Sequence, residues 1–129
     1  LTIKRRLCDE LFVNKQNRTL DILQTELYSS CDVSFLQEVA GNFVQLARDS
    51  PLGETHAIIA PQRLDGKRDQ NSIIVLKKST FTEHAACSEV TDLVLESVPP
   101  DTGLMDGDLI AVRVCLDKTS YLLASFHGD

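Results

Sequence analysis

The residue with the clearest chemical potential is a carboxylate that closes an apolar stretch. Residues 32–39 read Asp-Val-Ser-Phe-Leu-Gln-Glu-Val, with Glu38 at the end of the run. A carboxylate at the mouth of a hydrophobic strand is costly unless water, a cation or a hydrogen-bond donor meets it. On an ideal strand Ser34, Leu36 and Glu38 share one face, and Val33, Phe35 and Gln37 share the other. Glu38 then projects from the C-terminal edge, where open α/β sheets keep their chemistry. Many strands also simply end in a solvated charge. The second candidate is His127, which ends the run Leu-Leu-Ala-Ser-Phe-His-Gly-Asp at 122–129. Taken alone, a histidine at a strand end is a structural hydrogen-bonder. A carboxylate and an imidazole brought to one edge would be a different matter, because the carboxylate could meet a cation there.

The remaining polar residues offer less. Gln37 suits a hydrogen-bonding amide beside Glu38. Asp129 shares the face of His127 only if that strand continues. His56 and His84 have no partner pattern and default to surface or satisfied positions. Asp106 and Asp108 flank Gly107; lacking the longer calcium-loop pattern, they predict a turn. Lys4-Arg5-Arg6 and the set Arg63, Lys67 and Arg68 read as solvated faces, with guidance of a polyanion as the functional alternative. There is no glycine-rich phosphate loop and no serine nucleophile elbow.

Positioning these residues requires a layered domain. A chain of 129 residues with 43% apolar and 25% charged content suffices for one core. The net charge of −6 argues against a broadly basic nucleic-acid surface. A nuclease remains compatible, since its site needs only a local basic lip. No run approaches the ~20 apolar residues of a membrane helix. Cys8, Cys31, Cys87 and Cys115 are scattered without metal-ligand spacing. They read as buried thiols of an intracellular protein, although an even count permits two disulfides.

In chain order, the Asn residues of 14–17 predict a helix start, and Leu20, Leu23 and Leu27 predict a helix over 16–28 covering one sheet face. The strand ending at Glu38 follows, then a helix over 40–48 and Pro/Gly punctuation at 49–53. A short strand over 56–60 is stopped by Pro61. The polar segment 63–71, with its Asp65-Gly66 turn signal, is a loop or hairpin connection. Ser72-Ile-Ile-Val-Leu76 is apolar on both faces, which predicts cover on both sides. The segment 81–86 is ambiguous. Residues 90–98 read as a strand from their β-branched content, 101–108 as a loop. A hairpin then joins 109–116 to 121–126 across a four-residue connector. Leu36, Ile74 and Val112 are the expected deep core. Helices first and strands after predict an α/β (α+β) layered domain rather than a doubly wound parallel one.

The run Asp-Val-x-Phe-Leu-Gln-Glu-Val resembles the Leu-Gln-Glu motif of the endonuclease/exonuclease/phosphatase superfamily, the DNase I-like, Mg-dependent phosphohydrolases. The end of the chain, a strand finishing in a histidine, is similar to that superfamily's next landmark, and the element order between them also fits. The resemblance implies part of a four-layer α/β/β/α sandwich, with residues 1–129 as a single partial domain. Glu38 would bind the catalytic Mg2+ (or Mn2+), and His127 would contact the phosphate. The implied function is divalent-metal-dependent phosphohydrolysis of a phosphoester substrate, with phosphodiesters (nucleic acid among them) favoured over monoesters. The alternative is a non-catalytic interaction module that retains the fold. The superfamily's first strand with its metal-site Asn is not matched by Asn14 or Asn17, which sit in connector sequence. The later Gly-Asp-x-Asn and Ser-Asp-His motifs do not occur. The expectation is therefore a portion of a catalytic domain with little activity by itself.

Overall fold

The computed structural model describes residues 3–67, 69–81 and 87–128, the side chains of residues 4, 5 and 7–14 excepted. The elements in order are α1 (Ile3–Leu23), α2 (Glu26–Ser29), β1 (Val33–Val39), α3 (Gly41–Arg48), α4 (Pro51–Thr55) and β2 (His56–Ile59). They are followed by β3 (Asn71–Lys77), β4 (Ser88–Glu89), α5 (Thr91–Leu95), β5 (Leu109–Leu116) and β6 (Thr119–Phe126). Among the described residues two three-stranded sheets form, ordered β1-β3-β2 and β4-β5-β6, with antiparallel pairing throughout. The domain is thus of mixed α+β class.

Strand β3 explains the layering. Its residues alternate between two cores: Ile73 and Val75 pack with Leu20, Leu23, Phe43, Val44 and Ala47 from the helices. Ile74 and Leu76 pack with Ile110, Val112 and Val114 of the second sheet. Helices therefore cover one face of the first sheet and the second sheet covers the other, as the unbroken apolar run requires. The expected core residues Ile74 and Val112 are fully buried. Leu36 is only partly buried against the helical core, because β1 is an edge strand and α1 leaves a cleft over its end.

Several local expectations are corrected. Asn14 and Asn17 lie inside α1 rather than at its start. The helix breaks at Thr25, whose backbone is extended (φ −65°, ψ 155°) and whose hydroxyl donates to Ile22 O at 2.6 Å. The break throws Leu27 out of phase, and it is 71% exposed. The punctuation at 49–53 includes the start of α4, where Ser50 accepts from Leu52 N and Pro51 takes the first turn. The expected strand over 90–98 is instead mainly α5; the Glu89 carboxylate accepts from Thr91 N at 2.7 Å and starts the turn. One short helix displays too little of its period to be told from β-branched alternation. The β5–β6 connector is shorter than expected: strand pairing runs to Leu116↔Thr119, and Asp117 and Lys118 both adopt positive φ (50° and 64°). Cys31 is exposed and Cys87 and Cys115 are half-buried, all three as free thiols. The ambiguous segment 82–86 with His84, and also Arg68 and Asp129, lie outside the described residues. Among the described residues no helix is long and apolar enough to cross a membrane.

Candidate functional site

Glu38 owes its position to a β-bulge. Strand β1 pairs with β3 from Val33↔Leu76 to Leu36↔Ile73, then jumps to Val39↔Asn71. The extra residue on β1 falls at 37–38, and Glu38 takes a left-handed backbone, φ 55°. Such a conformation costs a non-glycine residue about 1–2 kcal/mol, and a bulge commonly re-aims a side chain. Here it cancels the strict alternation expected from the sequence. Gln37 reaches the last residue of strand β6 and Glu38 the residue after it. The Gln37 amide donates from Nε2 to Phe126 O at 2.8 Å, and Glu38 Oε1 lies 3.3 Å from His127 Nε2. Two candidates separated by most of the chain thus occupy one edge of the domain.

His127 is held there through a network that the sequence did not announce. Its backbone N donates to Asp108 O at 2.9 Å, and Ser72 Oγ donates to the same carbonyl at 3.0 Å. Asp108 is buried in a turn, accepting from Met105 N at 2.8 Å through its carboxylate. That turn is the structure expected for 106–108, and its role is to seat the start of β5 and the end of β6 together. The second organiser is Asn71, fully buried. Its Nδ2 donates to Val39 O (2.9 Å) and Asp65 O (3.0 Å), and its Oδ1 accepts from Asp65 N at 2.7 Å. Asn71 therefore pins the strand just past the bulge to the 63–71 loop. The only sequence signal was an amide two places before the unbroken apolar run Ile73–Leu76.

The helix-side flank of Glu38 is a cleft of about 420 Å³, with Lys15 and Thr19 of α1, Leu36, Phe43 and Asp69 among its walls. Asp69, like Glu38, has a left-handed backbone (φ 52°), and its carboxylate accepts from Gly41 N at 3.2 Å. The Glu38 side chain is 60% exposed and that of His127 20%, so water and solutes reach the carboxylate while the imidazole is largely enclosed. The pair forms an ion pair whenever His127 is protonated.

The donor set fits one share of a divalent-cation site. Mg2+ takes one or two protein carboxylates and fills its shell with water and substrate oxygens. Glu38 supplies one accessible carboxylate. Gln37 is already engaged with Phe126, and Asp108 with Met105. Among the described residues no cluster of three or more acidic, histidine or cysteine side chains is gathered around it. Arg63, expected as a solvated or polyanion-guiding residue, lies 3.6 Å from both Asp92 and Asp106 at the surface, where such pairs are weak. His56 is a buried residue of β2, distant from this edge in strand register. The chain matches no family model, no curated protein and no solved structure.

Proposed function

We propose that this chain is a segment of a divalent-metal-dependent phosphohydrolase, acting on phosphodiesters in preference to monoesters, within a DNase I-like four-layer sandwich. The observation that carries the reading is the approach of Glu38 to His127 at 3.3 Å, at the ends of strands β1 and β6 in different sheets. The carboxylate of Glu38 would contribute a ligand to Mg2+ or Mn2+. The bound cation would supply Lewis-acid polarisation of the phosphoryl group. His127 faces Glu38 through Nε2, a contact that orients the ring; in the protonated ring the remaining N–H, on Nδ1, would be the one to meet an oxyanion. The bulge keeps the carboxylate exposed without separating it from the imidazole.

The decisive comparison is Glu38→Gln in the natural polypeptide that carries this segment. The amide preserves shape and hydrogen bonding but removes the charge that holds the cation. Mg2+-dependent hydrolysis of nucleic-acid and phospholipid-headgroup phosphoesters is expected to be lost, with folding intact and thermal stability little changed. Raised Mg2+ restores activity in part if Glu38 acts mainly by binding. Undiminished hydrolysis by the Glu38→Gln protein overturns the assignment.

The second reading, an interaction module on the same fold, rests on a separate observation. β1 and β6 are edge strands, and Phe35, Leu122 and Phe126 on them are 48%, 61% and 54% exposed. Open, apolar strand edges suit strand addition by a partner. Absence of hydrolysis in the wild-type natural polypeptide, under conditions that saturate with metal, would favour it.

A further inference from the structure

Among the described residues the two sheets end in β1, β2, β4 and β6, and three of these edges are hindered against further pairing. β2 is capped by the Arg48 guanidinium, which donates from Nε and Nη2 to Ile58 O at 3.2 and 3.0 Å. β1 is interrupted by its bulge and by the left-handed backbone of Glu38. β4 has only two residues. Short length, bulges and charge are the usual protections of a sheet edge. β6 has none of them. It runs eight residues, pairs with β5 without a register shift, contains no proline and no charged side chain, and is exposed along most of its length.

The hydrogen-bonding phase of β6 shows which of its groups face outward. Residues along an antiparallel pair alternate between those that bond to the neighbouring strand and those that do not. His127 N donates to Asp108 O, one step beyond the pair Leu109↔Phe126. Tyr121, Leu123 and Ser125 are therefore in phase with His127 and bond to β5, whereas Ser120, Leu122, Ala124 and Phe126 turn their N–H and C=O groups away from it. The Gln37 amide agrees with this phase, since it donates to Phe126 O at 2.8 Å. Gln37 thus closes the edge at Phe126 and leaves Ser120, Leu122 and Ala124, which are symmetric about Leu122.

We propose that β6 pairs with β6 of a second copy of this chain, antiparallel about a two-fold axis at Leu122. Leu122 then faces Leu122 of the second copy and Ser120 faces Ala124, each pair exchanging backbone hydrogen bonds, and the two β4-β5-β6 sheets become one. Charge favours this occupant. With a net charge of −6, two copies repel wherever carboxylates meet, and the uncharged β6 lets them approach without that cost. The same register sets the Asp117-Lys118 turn of each copy abreast of Phe126 of the other, so that a lysine of the second copy joins the Glu38–His127 edge. This pairing supplies an occupant for the open edge on which the interaction-module reading rests. Dimerisation and hydrolysis are measured separately, so either can fail without the other.

The test is sedimentation equilibrium of the 129-residue chain over a range of concentrations, with amide hydrogen exchange followed by NMR. A reversible shift from 14.3 kDa to twice that mass is expected. Exchange at Ser120, Leu122 and Ala124 should slow as concentration rises, while Tyr121 and Leu123 stay protected throughout. Leu122→Lys, at an exposed position that the fold tolerates, places two ammonium groups opposite each other and is expected to weaken the dimer about tenfold or more. Leu93→Lys, equally exposed on α5, should leave it unchanged. Lys118→Glu, which turns a carboxylate toward Glu38 of the second copy, should also weaken it. A monomer at every concentration, open-ended aggregates, a dimer indifferent to Leu122→Lys, or exchange at Leu122 that ignores concentration overturns the proposal.

Discussion

Gly107 packs directly on Asn71: a Cβ at position 107 would overlap Asn71 Oδ1, and the backbone there is left-handed, φ 88°. The same glycine accepts from Ser72 N through its carbonyl at 2.8 Å. One residue thus lets the 105–108 turn lie against the start of β3, which in turn places Asp108 O under His127. The Glu38–His127 contact depends on this close approach.

Gly107→Ala is accordingly expected to do more damage than Gly103→Ala. Gly103 has a similar φ (72°) with open space around its Cβ position, so its substitution should cost only the left-handed backbone penalty, about 1–2 kcal/mol. Gly107→Ala adds a clash with a buried amide. Denaturant unfolding should separate the two, and the His127 imidazole resonances should shift only in the Gly107 variant. Equal costs and unmoved resonances would show that the turn does not seat His127.

Core truncations should follow burial rather than strand membership. Ile74→Ala, at a fully buried position between the sheets, is expected to cost about 2–5 kcal/mol. Leu36→Ala, on the cleft side of an edge strand, should cost about 1–2 kcal/mol. Comparable losses in urea unfolding would mean that the cleft beside Glu38 closes in solution.

His56 is expected to make stability fall in acid. Burial, and then the Lys77 ammonium, lower its pKa below the ordinary 6.5; Lys78 acts in the same sense, and a hydrogen bond to the Leu52 backbone opposes them. The unfolded chain therefore binds the proton more readily than the folded one. The folded state has its full advantage above pH 6.5 and loses it as pH falls through the lowered folded value. Thermal melts from pH 7.5 to 5 should show a steeper decline for the wild type than for His56→Asn. Parallel declines would place the acid sensitivity elsewhere.

The sequence by itself determined the elements whose reasons are local. The apolar run of β3 required cover on both faces, and both are covered. The Asp65-Gly66 signal and Pro61 marked the connection between β2 and β3. Glu38 was legible as a carboxylate at a strand end, and His127 as a histidine at another. What only the tertiary structure decided was the relation between them. A bulge depends on the registration of two strands, so neither Leu-Gln-Glu nor Asn-Ser-Ile discloses it; alternation alone sends Gln37 and Glu38 to opposite faces, whereas Gln37 meets the last residue of β6 and Glu38 the residue after it. The roles of Asn71, Asp108 and Gly107 were hidden for a related reason. Each acts by satisfying or avoiding a group distant in sequence, and one-dimensional periodicity carries no record of such partners. The break at Thr25 and the helix at 91–95 were obscured by length, since elements of one turn or so have too few residues to display a period.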